Sequence, residues 1–406
     1  MTGKRTVVAA WAVALAVSAL AAVPAGAHGG RRPGGAHGGR GGGYTAAGLR
    51  ADLAAVRAAG GGDVNVVARV DRPRGGPLLA RLGTAGLGST APVPWDPEFR
   101  TASTTKTFTA VVVLQLVSEG RLSLDDTVEH WLPGVVSGHG NDGARITVRN
   151  LLQQTSGLFD YVQDPSVQDR LQHHFDENRY DDTPAAQLVA LAVAHPPLFA
   201  AGRGWAYSNT NYLLAAMIAQ RAAGGRSWEQ LVEHRVIAPL GLRHTYIPGL
   251  NPFLVGPHER VTVAGPGGAV EDLTEQSVQH TADSGVVSTP ADLDVFFRAL
   301  AGGRLLPAAQ WAEMRRTVPY DDLPVPPAGR QGGYGLGLRA MPLTCGGVAY
   351  LHEGDGLGAY GRPAVSADGR RAVTVALTTT TALVDQDAVN RAAQVLIDHA
   401  LCDRDA

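Results

Sequence analysis

The sequence predicts an α+β fold, an α/β sandwich in which one antiparallel sheet is flanked by the N- and C-terminal helices and a mostly helical segment is inserted. Three observations carry this. A valine-rich, alternating stretch at 63–71 (DVNVVARVD) reads as a strand near the start. Four short strand-like stretches separated by turn residues fall between 334 and 378. Between them, from about 100 to 285, the text is helical segments joined by Gly, Pro and Asp loops. Strands at both ends of a helical block are most economically one sheet with an insertion.

In chain order, Leu49, Leu53 and Val56 at helical spacing predict an opening helix over 44–59. The strand 63–71 pairs across Pro73-Arg74-Gly75-Gly76 with Leu78–Gly83. From Thr107, FTAVVVLQLVSEG is apolar on nearly every side and stops at Gly120, a buried helix with a glycine terminator. Further helices are expected over 146–152, 182–194, 211–223 and 228–236. Thr289 caps another, with Pro290 at its first position. Strands follow at 334–339, 347–352, 358–366 and 371–378, and an amphipathic helix over 385–401 closes the chain.

The ends of the chain carry their own signals. Lys4 and Arg5, the uncharged run Thr6–Val23 and Ala25-Gly26-Ala27 read as a cleaved export signal over 1–27 rather than a retained anchor. Residues 28–43, rich in Gly, His, Arg and Pro, bury nothing and read as a flexible tether, with His28 and His37 solvated. The catalytic domain is expected over 44–406. The expected location is extracellular, with no stable membrane anchor after cleavage and a monomeric protein. An even pair of cysteines in an exported protein, Cys345 and Cys402, reads as one disulfide, two free thiols being the alternative. A net charge of −2 offers no electrostatic reason for a nucleic-acid partner.

Of the 35 basic residues only Lys4 and Lys106 are lysines. Arginine stays protonated, whereas a buried lysine loses its proton readily and serves as a base. Lys106 lies three residues after Ser103, on the same helix face, and a serine hydroxyl needs a neighbouring base to become a nucleophile. Rival machinery is missing: there is no Gly-x-Ser-x-Gly, no His-Glu-x-x-His and no phosphate-binding Gly-x-x-x-x-Gly-Lys. No metal or cofactor is expected. Two further elements accompany the Ser-x-x-Lys. Tyr207-Ser208-Asn209 precedes an apolar helix; beside an ammonium the Tyr207 phenolate is favoured and can shuttle a proton, and Asn209 can hold the lysine and a substrate amide. His352-Glu353-Gly354-Asp355-Gly356 ends a strand, where Gly354 lets a substrate backbone approach and the Asp355 N–H can complete an oxyanion hole.

The ordered set Ser-x-x-Lys, Tyr-x-Asn, His-x-Gly resembles the penicillin-recognising serine hydrolases. It is similar to the branch holding class C β-lactamases, D-aminopeptidases, related esterases and the secreted D-alanyl-D-alanine carboxypeptidases of actinomycetes, the last being the nearest match. The likeness runs over about residues 45–402 and includes Phe99-Arg100 to Lys106, ITVRNLLQQTSGL, YSNTNY, ADLDVFF and YGLGLR. It implies a β-lactamase/transpeptidase-like fold. It also implies an acyl-enzyme on Ser103, proton handling by Lys106 and Tyr207, and substrate binding by Asn209. His352 stands where relatives carry lysine or histidine. By the same resemblance Arg339 holds a substrate carboxylate, and Cys345–Cys402 matches the family disulfide. The implied partners are peptidoglycan stem peptides or other small acyl substrates, and β-lactams. Glu353 and Asp355 depart from the pattern, which has small or hydroxyl residues there. Two carboxylates would repel a substrate carboxylate or occupy Arg339 themselves, and would suit a substrate with a free amine. The reading is thus a D,D-carboxypeptidase-like hydrolase, with esterase, D-aminopeptidase or β-lactamase as alternatives. A catalytically idle binding module is the reading of another class, and it has no use for the lone lysine.

Overall fold

The structure is a computed structural model that describes residues 43–264, 270–320, 326–381 and 384–403. The expected export signal, and the tether up to residue 42, lie outside the described residues. Among the described residues no helix is long and apolar enough to cross a membrane.

The valine-rich stretch forms β1 (Val64–Asp71), paired antiparallel with β2 (Leu78–Leu82) on one side and with a late strand on the other. The remaining labelled strands are β3 (Phe99–Arg100), β4 (Val287–Ser288), β5 (Val318–Pro319), β6 (Gly333–Tyr334), β7 (Arg339–Pro342), β8 (Val348–Leu351), β9 (Gly354–Asp355), β10 (Ala359–Ser366) and β11 (Ala372–Thr379). The main sheet runs β2-β1-β11-β10-β8-β7-β6-β5, with β9 hairpinned onto β10. Every pairing in it is antiparallel, so strands from the two ends of the chain meet at β1–β11.

Alternation along β1 explains why it is apolar on both faces. Val64, Val66, Ala68 and Val70 join one core with the opening helix α1 (Ala46–Ala59) and a C-terminal helix over Gln386–Leu401, while Val67 joins the other. Leu49, Leu53 and Val56 of α1 are fully buried there, each contributing roughly 1.5–3 kcal/mol of transfer free energy. On the opposite face Phe296 and Phe297, from a helix over Pro290–Ala301, pack under the sheet and against the helical block.

That block centres on α2 (Thr105–Ser118), whose residues Thr105–Leu114 are all buried. Its buried threonines do not strand their hydroxyls: Thr107 donates to the Gly337 carbonyl at 2.7 Å and Thr109 to the Ala282 carbonyl at 2.7 Å. The helix is thereby bonded to two loops that come much later in the chain. The block opens and closes at the β3–β4 pair, Phe99 opposite Ser288 and Arg100 opposite Val287.

One expected strand is different. Residues 334–339 form a hairpin of β6 and β7 rather than a single strand. Gly337 takes φ +74°, and a Cβ there would stand 2.5 Å from the Ala110 Cβ, so α2 presses the chain into a turn. A hairpin of 262–264 with 270–272 and a helix over Ala308–Met314 also appear, in stretches with no clear sequence period.

Candidate active site

Strand β3 leads into a short 3-10 turn, Ala102–Thr104, that runs directly into α2 and sets Ser103 at its N-terminal end. Ala102 holds φ +45°, a left-handed conformation strained for a residue with a Cβ and of the kind that gathers at functional sites. Surroundings lock the turn. Thr101 donates its N–H and its hydroxyl to the Val286 carbonyl, both at 2.9 Å, and the Thr104 hydroxyl donates to the His352 carbonyl at 2.9 Å.

Lys106 follows one turn on, fully buried, and its Nζ has three neighbours. Ser103 Oγ lies at 2.9 Å, Asn209 Oδ1 at 2.6 Å and the Asp283 backbone oxygen at 3.0 Å. Among the described residues no carboxylate touches it. Burial therefore dominates and lowers its pKa to about 8, against smaller opposing effects of the Asp283 and Asp160 charges, with Arg339 lowering it further.

The loop carrying Tyr207 and Asn209 is fastened to residues 154–161. Gln154, itself at φ +62°, accepts the Ser208 N–H at 3.1 Å and the Asn211 amide at 2.6 Å, and the Thr210 hydroxyl donates to the Phe159 carbonyl at 2.8 Å. Asp160 is the residue that sequence reasoning missed. Its carboxylate accepts from Asn209 Nδ2 at 2.9 and 3.2 Å and from the Asn209 N–H at 3.1 Å. Burial raises its pKa to about 6, opposed by the Val162 N–H and the Lys106 charge. A lone Asp after Thr-Ser-Gly-Leu-Phe carries no motif, and only its fold neighbours reveal it. Asn209 thus meets protein at both ends of its amide, Lys106 on one side and Asp160 on the other.

Tyr207 stands with Lys106 Nζ 5.0 Å from its ring centroid. The expected phenolate is not what this environment favours. Although the residue is only partly buried as a whole, burial of its hydroxyl, then Tyr334, push its pKa well above the ordinary value, so Tyr207 holds its proton. His352 is buried behind it, ring centroids 6.4 Å apart, and its Nε2 pairs with the Tyr334 hydroxyl at 3.0 Å. Burial first, then the Arg339 and Lys106 charges, push the imidazole well below its usual pKa, so it is neutral.

The two acidic departures part company. Glu353 faces Arg339 at 3.0 Å, both nearly buried, and the guanidinium also lies over the Tyr320 and Tyr334 rings at 4.6 and 5.5 Å. Asp355 instead pairs with the buried Arg362 and keeps 41% of its side chain exposed. Gly354 serves the protein rather than a substrate backbone: a Cβ there would sit 1.9 Å from the Thr101 carbonyl oxygen, so only glycine lets β9 lie on the nucleophile turn. The Gly356 N–H bonds the Ala359 carbonyl at 2.9 Å, and the alternation of an antiparallel ladder then leaves the Asp355 N–H on the outer edge of the hairpin. That amide is available to an oxyanion beside the positive end of α2.

A cavity with about 860 Å³ of empty space, part of it open to solvent, joins these groups. Ser103, Asn209, Asp283 and Asp355 line it, with Val162, Val167, Leu171, Leu188 and Leu357 forming an apolar wall. Arg339 and His352 are not among its lining residues. Among the described residues no group of three or more His, Cys, Asp or Glu could hold a metal ion. Away from the site, Cys345 and Cys402 form a disulfide with Cα atoms 5.5 Å apart, tying the loop after β7 to the last helix.

The arrangement can make a serine nucleophilic through a lysine of lowered pKa, with a protonated tyrosine beside it. The Beta-lactamase family profile matches residues 21–399. Protein flp of Staphylococcus aureus (strain MW2) is 32% identical over 155 residues, 38% of this chain and 29% of that protein. Penicillin-binding protein 4* of Bacillus subtilis (strain 168) is 29% identical over 175 residues, 43% of this chain and 36% of that protein, so the chain spans about a third of the length of these curated relatives. A D-stereospecific amidohydrolase from Streptomyces sp. superposes with a TM-score of 0.74 at 37% identity, covering 83% of this chain and 97% of that one. The D-amino acid amidase of Ochrobactrum anthropi SV3, complexed with D-phenylalanine, gives 0.71 at 25% identity, covering 87% and 96%. A profile match over nearly the whole chain and a 37% identical structure covered almost end to end make this protein a member of the Beta-lactamase family, among the serine hydrolases of the penicillin-recognising fold.

Proposed function

We propose that the protein hydrolyses D-amino-acid amides, and related amides or esters bearing a free amine, through an acyl-enzyme on Ser103. The observation that carries this is the division of labour between the acids. Arg339, the group that would hold a peptide's terminal carboxylate, is closed by Glu353 at 3.0 Å, while the exposed Asp355 carboxylate stands in the cavity wall with Ser103. A carboxylate there attracts an ammonium and repels a carboxylate. The solved relatives named for D-stereospecific amide hydrolysis support the same reading.

In the first half-reaction Lys106 takes the Ser103 proton as Oγ bonds the substrate carbonyl carbon. The C–N bond then breaks and the proton passes from Lys106 to the departing amine, with the protonated Tyr207 beside Lys106 as a relay. In the second, water adds to the acyl carbon and Oγ leaves with a proton. A panel of D- and L-amino-acid amides, short esters, a cephalosporin and acyl-D-Ala-D-Ala tests the reading. The expected order of kcat/KM puts D-amino-acid amides above acyl-D-Ala-D-Ala; equal or reversed ratios would sink it.

The D,D-carboxypeptidase reading is the second, favoured by the presence of Arg339 itself. It requires the substrate carboxylate to displace Glu353, and the same panel separates the two. We also place the working protein outside the cytoplasm, on the export signal read over 1–27 and on the Cys345–Cys402 disulfide. N-terminal sequencing of protein recovered from culture medium tests this, and retention of the whole leader inside cells would refute it.

A further inference from the structure

We propose that Asp160 is a positioning residue that, through the side-chain amide of Asn209, aims the lone pair of neutral Lys106 at Ser103. The argument is an inventory of hydrogens around Nζ. Of its three neighbours, Asn209 Oδ1 and the Asp283 backbone oxygen are acceptors only. A neutral amine has two N–H bonds and one lone pair. Its hydrogens go to those two oxygens, and the lone pair is left facing Ser103 Oγ at 2.9 Å, where it can receive the hydroxyl proton.

This holds only while Asn209 presents its oxygen to the lysine. Turned about its last torsion, the amide would point an N–H at the amine and compete with Ser103 for the lone pair. Asp160 forbids the turn, because its two oxygens accept from Nδ2 at 2.9 and 3.2 Å and would otherwise meet Oδ1. The same carboxylate bonds the Asn209 and Val162 N–H groups at 3.1 and 3.2 Å, so it is itself immobile. The charged groups that bear on the pair are Lys106 and Asp283 on Asp160, and Asp283, Asp160 and Arg339 on Lys106. Ionised Asp160 favours the charged lysine, so its role is one of orientation, against its own electrostatic sign.

That opposition gives the test. Acylation is read as the p-nitrophenol burst from p-nitrophenyl acetate, which does not depend on the amide preference proposed above. Lys106 is read directly by carbon-13 at lysine Cε, since the only other lysine in the chain is Lys4. In Asp160→Asn the acylation rate on the alkaline plateau falls by about tenfold or more although the Lys106 titration moves to lower pH. Asp160→Glu, which keeps a carboxylate, stays within about fivefold of the parent, with Lys106 titrating where it did. An Asn variant within about twofold of the parent rate, or a Glu variant as slow as the Asn variant with the parent's unfolding midpoint, overturns the proposal. Should the Asn variant not fold, the Glu variant decides alone: a retained rate supports the inference, and a lost rate with Lys106 titrating unchanged refutes it.

Discussion

Two buried cations lie near enough to influence one another, and the fold treats them oppositely. Lys106 is ringed by neutral acceptors, a hydroxyl, an amide oxygen and a backbone carbonyl, so burial pulls its pKa down to about 8. Arg339 faces the Glu353 carboxylate directly and lies over two tyrosine rings. The difference teaches what each charge is for. A cation without a contacting anion is poised to give up its proton, and one with an anion in contact is held in place. Only the first touches the Ser103 hydroxyl.

The comparison breaks most sharply at Lys106. Lys106→Arg keeps the positive charge but cannot supply a base, and acylation by a fluorescent penicillin or by p-nitrophenyl acetate should fall at least about a thousandfold. A variant within about tenfold of the parent would mean that the lysine acts only as a charge. Next comes pH. Only the neutral amine is a base, and it exists above its pKa of about 8. The acylation rate should therefore climb about tenfold per unit below that value and level off above it. A flat profile across neutral pH would contradict the lowered pKa.

On the other side, Glu353→Gln removes the anion that closes Arg339. The ratio of kcat/KM for acyl-D-Ala-D-Ala over a D-amino-acid amide should rise by about tenfold, since the carboxylate facing the guanidinium no longer repels a substrate carboxylate. No change in the ratio would show that Glu353 is not what turns a substrate carboxylate away. The smallest effect on turnover is expected far from both cations. Cys345→Ser should lower the unfolding free energy by about 2–4 kcal/mol in a denaturant titration and leave kcat unchanged.

Local pattern made much of this legible. The valine alternation of β1, the all-round apolar run of α2, the Thr289-Pro290 helix start and the Ser103–Lys106 spacing are short-range signals, and each element appears within a few residues of its expected bounds. The hairpin at 333–342 was not legible, because its turn at Gly337 is imposed by Ala110, more than two hundred residues away in the chain. Asp160 was invisible for the same reason: a single carboxylate gains its meaning from Asn209 and Lys106, which the sequence separates from it.

By itself, then, the sequence determined which groups this protein offers for chemistry: a serine and a lysine on one helix face, a tyrosine and asparagine in one loop, and two acids flanking Gly354. Only the tertiary structure decided their charge states and partners. It made Lys106 a weak cation, kept Tyr207 protonated and His352 neutral, and sent Glu353 to Arg339 but Asp355 to the cavity. The physical reason is that spacing along a chain sets which side chains share a face, whereas a pKa or an ion pair depends on desolvation and on neighbours contributed by distant segments.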